Sequence, residues 1–157
     1  MRNDSHYNIR EILYSYNLLY RASRDGYSAS SFHNKCDNKG VTIVIVKIKG
    51  SEQIVGGYNP FDWDSSSSHK TTKDSFIFAF TDKMNTKTAN VGYSNGVMSV
   101  GSYPSCGPVF GNYFYFYNDG TTWYIKDDNY SISYSSIGIP TGSVKVDDCE
   151  IFKVTKK

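Results

Sequence analysis

Ser94 stands in Gly92-Tyr93-Ser94-Asn95-Gly96, the G-x-S-x-G spacing that exposes a hydrolase nucleophile on a sharp strand-to-helix turn. That chemistry also needs an acid and a histidine further along the chain. A strand-like stretch, Val97-Met98-Ser99-Val100-Gly101, follows instead, and no histidine occurs after His69. The pentapeptide therefore reads as a β-turn. Cys106 lies in Ser105-Cys106-Gly107-Pro108, a turn sequence. A turn cysteine becomes a redox thiol when a nearby cation depresses its pKa. Nothing basic adjoins Cys106 in sequence, so a packing role competes with the role of a redox thiol. His33 and Cys36 are spaced to share one side of a helix, but two ligands fall short of a four-coordinate zinc site, and no metal is expected. His6 and His69 have no partner at ligand spacing, and His69 is expected to face solvent from a loop. The carboxylates gather at Asp127-Asp128 and at Asp147-Asp148 with Glu150. Paired acids do hydrolytic work only where their surroundings split their pKa values, which sequence does not show. Neither a phosphate-binding P-loop nor a dinucleotide fingerprint is present, and no cofactor is expected.

Side chains of this kind must be held by a scaffold, and the composition points to strands. Of 157 residues, 14 are Tyr and 9 are Phe, types that suit a pleated, half-buried surface. Short apolar runs alternate with Gly, Asn, Asp and Ser, which mark tight turns. Asn17 to Ala22 reads as a strand. Ser28 reads as the N-cap of a short helix, with Tyr27 and Phe32 placed as a hydrophobic staple and Asp37-Asn38-Lys39-Gly40 as its end. Val41 to Ile48 is the clearest strand, apolar enough to be buried on both faces. Glu52 to Tyr58 returns beside it, and Gly56-Gly57 marks either a bulge or a place where other groups come close to the backbone. Asp64 to Lys73 reads as a surface loop. Ser75 to Thr81 alternates strictly, with Phe76, Phe78 and Phe80 on one face, assigned here to the core, and Ser75, Ile77 and Ala79 on the other. Asn118-Asp119-Gly120 joins two later strands as a hairpin turn, and a long strand runs over Val144 to Val154. The expected fold is mainly β: a two-sheet antiparallel β-sandwich with a few short flanking helices. Residues 1–15 form a lead-in of uncertain form, and residues 16–157 form one domain.

The formal net charge of +2, from 17 basic and 15 acidic residues, leaves no electrostatic footprint for nucleic acid. The three cysteines are odd in number and widely spaced, which fits a reducing compartment better than a disulfide framework. The N-terminus lacks a signal-peptide apolar stretch, and the run from Val41 to Val46 is far too short to span a bilayer. No membrane insertion is expected, and cytoplasmic residence follows as the expectation.

Four stretches, "LLYRASRDGYSASSFHNKCDNKG", "IVGGYNPFDW", "KDSFIFAF" with "CGPVFGN", and "SVKVDDCEIFKV", together resemble the TLDc family, in the version found in fungal BTB- and kelch-associated proteins. The resemblance covers about residues 16–155. It implies a β-sandwich, a role in oxidative-stress resistance and, as in several relatives, binding to the vacuolar proton-pumping ATPase. No established active site accompanies the family. Gly56, Gly57, Phe76, Cys106, Gly107, Phe110, Gly111 and Glu150 match its pattern. Asp74 corresponds to an acidic residue that some relatives carry before the aromatic strand. The expected function is a non-catalytic protein-interaction domain, with Gly56, Gly57, Tyr58, Asp74 and Glu150 as binding residues. Two other readings stay open: an enzyme using Cys106 or the acidic cluster, and a carbohydrate-binding sandwich presenting Trp63 and Trp123 on one face.

Overall fold

The computed structural model describes residues 13–126, 133–139 and 141–157. In chain order they form β1 (Tyr14–Arg21), α1 (Ala22–Asp25), α2 (Ala29–Cys36), β2 (Thr42–Ile48), β3 (Ile54–Asn59), β4 (Ser68–Lys70), β5 (Phe76–Phe80), β6 (Ala89–Tyr93), β7 (Val100–Ser102), β8 (Cys106–Phe110), β9 (Phe114–Tyr117), β10 (Thr122–Ile125) and β11 (Gly142–Lys156). The mainly β expectation is met. Residues 1–12 of the lead-in and the Asp127-Asp128 pair lie outside the described residues.

The two layers are halves of one continuous antiparallel sheet, ordered β4-β7-β8-β9-β10-β11-β2-β3-β5-β6, with β1 on β11. The long strand β11 belongs to both halves. Its first residues, Gly142 to Lys145, pair with β10, while Glu150 to Lys156 pair with β1. A register shift between Val146 and Asp148 falls where the strand passes from one half to the other. An irregularity of this kind bends a strand and adds twist, which lets one strand serve two layers.

One core lies between the halves. Val44, Val46, Val55, Ile77 and Ala79 enter it from the β2-β3-β5 half, and Val100, Phe110, Phe114, Phe116 and Trp123 from the other. Gly57 lies under the Phe110 ring, so that a Cβ added there would stand 2.6–2.8 Å from three ring carbons. On the opposite face a Cβ on Gly56 would stand 2.6 Å from Phe78 Cζ. The pairing of β2 with β3 is unbroken across both glycines, so there is no bulge. They are glycine because the space a side chain would take is filled, by the Phe110 ring at Gly57 and by the Val44 carbonyl oxygen and the Phe78 ring at Gly56.

The alternation of β5 is real, but its faces are reversed from expectation. Ile77 and Ala79 point into the core, and Phe76, Phe78 and Phe80 point outward. The inner layer at this place is already filled by Phe110 and its neighbours, which leaves room only for small or aliphatic residues. Strand β2, expected to be buried on both faces, is buried on one: Thr42, Val44, Val46 and Ile48 are buried, whereas Ile43, Ile45 and Lys47 are half-buried on the outer face.

The helix behaves as its sequence dictates. Ser28 Oγ accepts a bond from the Ser31 N–H at 3.1 Å, and Phe32 and Cys36 are buried on one face. Phe32 packs edge-on against Trp63 at 5.5 Å and against Tyr20 at 6.2 Å. Trp63 Nε1 donates to Thr42 Oγ1 at 2.8 Å, pinning the tryptophan to β2.

Two ion pairs tie the connections. Asp25 accepts from Arg24 Nη2 at 2.8 Å and from the Arg21 N–H at 3.0 Å, and Asp64 accepts from Lys70 Nζ at 2.9 Å and from the Ser66 N–H at 2.9 Å. The bond from Arg24 holds the Asp25 carboxyl down to about 2. Bonds from Ser66 and Lys70 do the same for Asp64, also to about 2. A carboxyl depressed on folding contributes stability above its unfolded pKa and loses it as pH falls through the folded value. A D25N/D64N variant is therefore expected to lose less denaturation midpoint than the parent between about pH 5 and pH 2. Equal losses in urea titrations would show that the two pairs carry no weight.

Candidate functional site

Strand register lines up the outward residues of one half into a row of aromatic and aliphatic side chains. Tyr58 stands across from Ile43 on one side and Phe76 on the other, and Phe76 stands across from Tyr93. In the other direction Ile43 faces Phe152, which faces Leu18; two and four residues further along the strands, Val154 faces Tyr16 and Lys156 faces Tyr14. The Tyr58 and Phe76 rings stack at 5.1 Å and 13°, and Tyr93 leans on Phe76 at 6.0 Å. These residues enclose an open groove of about 520 Å³ whose walls include Tyr14, Tyr16, Tyr58, Phe76 and Tyr93, with Lys73 and Asp74 at one rim. Tyr93 is 64% exposed, Tyr16 59% and Tyr14 46%. Burial raises the pKa of the Tyr58 hydroxyl, with smaller contributions from Tyr14 and Asp74, so Tyr58 is a neutral donor at ordinary pH. Large exposed aromatic patches on a small domain mark places of contact.

The residues singled out from sequence fall in three places. Tyr58 and Asp74 line the groove. Gly56 and Gly57 lie in the adjoining stretch of β3 and are buried beneath rings of the chain itself. Glu150 is further along the same outer face, paired with Arg21 at 3.1 Å, both side chains being partly exposed. Cys106 is in β8, in the other half of the sheet, away from the groove lining.

The carboxylate cluster is dispersed by its partners. Asp147 pairs with Lys47 at 3.0 Å, Asp148 accepts from Ser23, and Glu150 accepts from Arg21. No two of these acids share a hydrogen bond, so they do not form the facing carboxyl pair of a hydrolase.

Ser94 is buried and its Oγ bonds Ser99 Oγ at 2.7 Å and the Gly96 N–H at 3.1 Å, which holds the turn. His33 Nδ1 meets Asp37 Oδ1 at 2.7 Å, and its Nε2 meets the Tyr103 and Cys106 carbonyls at 2.7 and 2.9 Å. This His–carboxylate pair is directed at backbone rather than at a nucleophile, and it pins the β7–β8 connection to α2. His69 is not solvated as expected. It lies in β4, its Nδ1 bonds the Tyr103 hydroxyl at 2.6 Å, and burial lowers its pKa, so the ring is neutral. Among the described residues no group of three His, Cys, Asp or Glu is placed to hold a metal. Trp63 and Trp123 are both fully buried, which removes the aromatic platform of the carbohydrate reading.

Burial raises the Cys106 thiol pKa, and a bond with Ser105 offsets this only in part. A raised pKa leaves less thiolate at neutral pH than a free cysteine has. Iodoacetamide is therefore expected to alkylate Cys106 at pH 7 more slowly than free cysteine, with the rate climbing only at higher pH than for the free thiol. Faster reaction than free cysteine at pH 7 would revive the redox reading.

Sequence reasoning did not find Tyr14, Tyr16 and Tyr93 as a group. The available signal was the alternation of Tyr14 and Tyr16 with Ser15 and Asn17, which places both tyrosines on one strand face.

Among the described residues no helix is long and apolar enough to cross a membrane. No curated protein matches the chain. The sequence profile of the TLDc domain matches residues 4–155, nearly the whole length. With that match spanning both halves of the sheet and the groove, the chain belongs to the TLDc domain family.

Proposed function

We propose that this chain is a non-catalytic protein-interaction domain that docks through the aromatic groove. The observation that carries this reading is the outer face of the β1-β11-β2-β3-β5-β6 half: aromatic, partly exposed and covered by no second layer among the described residues. Sheet faces of this character are normally buried against something. Family membership supports an interaction role. We extend the proposal to the partner named by the family resemblance, subunits of the vacuolar proton-pumping ATPase, to a protective role in oxidative stress, and to action in the cytoplasm.

The test uses the full chain, immobilised, and purified ATPase subunits as analytes in biolayer interferometry. Saturable binding that is lost on adding free chain supports the reading. Absence of binding to every subunit, with the chain folded by circular dichroism, rejects that partner.

A further inference from the structure

We infer that the groove takes an amphipathic helix whose flanks are acidic, an inference that rests on the interaction reading above and gives its partner a chemistry.

The shape comes first. The row crosses β1, β11, β2, β3, β5 and β6 at one end of their strands. Six strands at about 4.8 Å spacing give a row about 24 Å long. A helix rising 1.5 Å per residue covers that length with about 16 residues. The face presents side chains, not unpaired backbone groups, because each inner strand of the row is bonded on both sides. An extended peptide laid on it would leave its own N–H and C=O groups without partners. Extended peptides instead add at a sheet edge, whereas a helix satisfies its own backbone and buries one apolar stripe.

The charge comes second. Lys73 lies at one rim, and Lys156 lies across from Tyr14 at the other. Lys157 is beside it, its N–H bonded to the Leu13 carbonyl. None of these three lysines has an ion-pair partner among the described residues. Asp74 is the one carboxylate in the lining. Glu150, further along this face, is already paired with Arg21. The hydroxyls of Tyr14, Tyr16, Tyr58 and Tyr93 make no hydrogen bond among the described residues, and a carboxylate is the side chain that only accepts. Unpaired ammonium groups and free hydroxyl donors around an apolar floor match Glu or Asp flanking large apolar residues.

Two synthetic helical peptides of about 16 residues test this. They share one Leu/Phe face and differ in carrying Glu or Lys on the flanks. By fluorescence anisotropy with the full chain, the acidic peptide is expected to bind at least about tenfold tighter, and added salt is expected to shrink the difference. A K73E/K156E variant, altering exposed positions only, is expected to reverse the preference. Equal or tighter binding of the basic peptide overturns the inference, as does a preference that survives charge reversal. If neither peptide binds while ATPase subunits still do, the acidic-helix inference fails and the interaction reading stands. A reversible dimer that dissociates on Tyr93→Ala, seen by sedimentation, would assign the groove to a second copy and also overturns it.

Discussion

Phe110→Ala is expected to lower stability by about 3–5 kcal/mol, the range for truncating a buried aromatic ring. At roughly 2–4 °C per kcal/mol for a domain of this size, the melting temperature should fall by about 10 °C. The ring is fully buried and joins the two halves of the sheet. It stands edge-on to Trp63 at 5.8 Å, stacks with Phe114 at 6.1 Å, meets Tyr134 at 6.4 Å and covers Gly57. The contact with Gly57 makes a sharper form of the test possible. The Gly57 backbone is not in the left-handed region, so alanine there is opposed by space alone. Gly57→Ala in the parent should cost about 1–3 kcal/mol through overpacking. In the Phe110→Ala background the space is free and the same change should cost much less. A double-mutant cycle from urea denaturation should therefore give a coupling of about 1 kcal/mol or more. Strict additivity would mean that the halves do not meet at this place.

The second large effect is on binding. Tyr16→Ala combined with Tyr93→Ala should leave stability within about 0.5 kcal/mol per site, because both side chains are more than half exposed. Binding should nevertheless weaken by about thirtyfold or more, the equivalent of losing about 2 kcal/mol of an aromatic hot spot. The two rings stand at opposite ends of the row, so a ligand that spans the groove touches both. Comparing melting curves with ATPase-subunit affinities separates the two effects. A large stability loss with unchanged affinity would make these tyrosines structural and leave the groove without a role.

Much of the fold was readable from sequence because the signals were local. Ser28 as an N-cap, the β-branched run of β2, the Asn118-Asp119-Gly120 hairpin and the long C-terminal strand each rest on residues within a few positions of one another. Alternation located β5 correctly but could not say which face was inward. A period of two separates faces without assigning them. The assignment depends on what fills the opposite layer, here Phe110, Phe114 and Trp63, which come from other parts of the chain. That also explains Gly56 and Gly57, whose cause is the Val44 carbonyl and two rings from other strands rather than a local bulge. The groove itself was half legible. Tyr58 and Asp74 were named, but Tyr14 and Tyr16 on β1 are far in sequence from Tyr93 on β6 and meet it only through register. The buried state of both tryptophans and the dispersal of Asp147, Asp148 and Glu150 among separate partners likewise depend on tertiary packing.

Hydroxyl-radical footprinting of the full chain, alone and saturated with a bound ATPase subunit, addresses the docking face most directly. Tyr14, Tyr16 and Tyr93 should be oxidised readily in the free chain and strongly protected in the complex, while Tyr117 and Tyr124, exposed on the other half of the sheet, should change little. Protection of Tyr117 and Tyr124 with the groove tyrosines unchanged would contradict it.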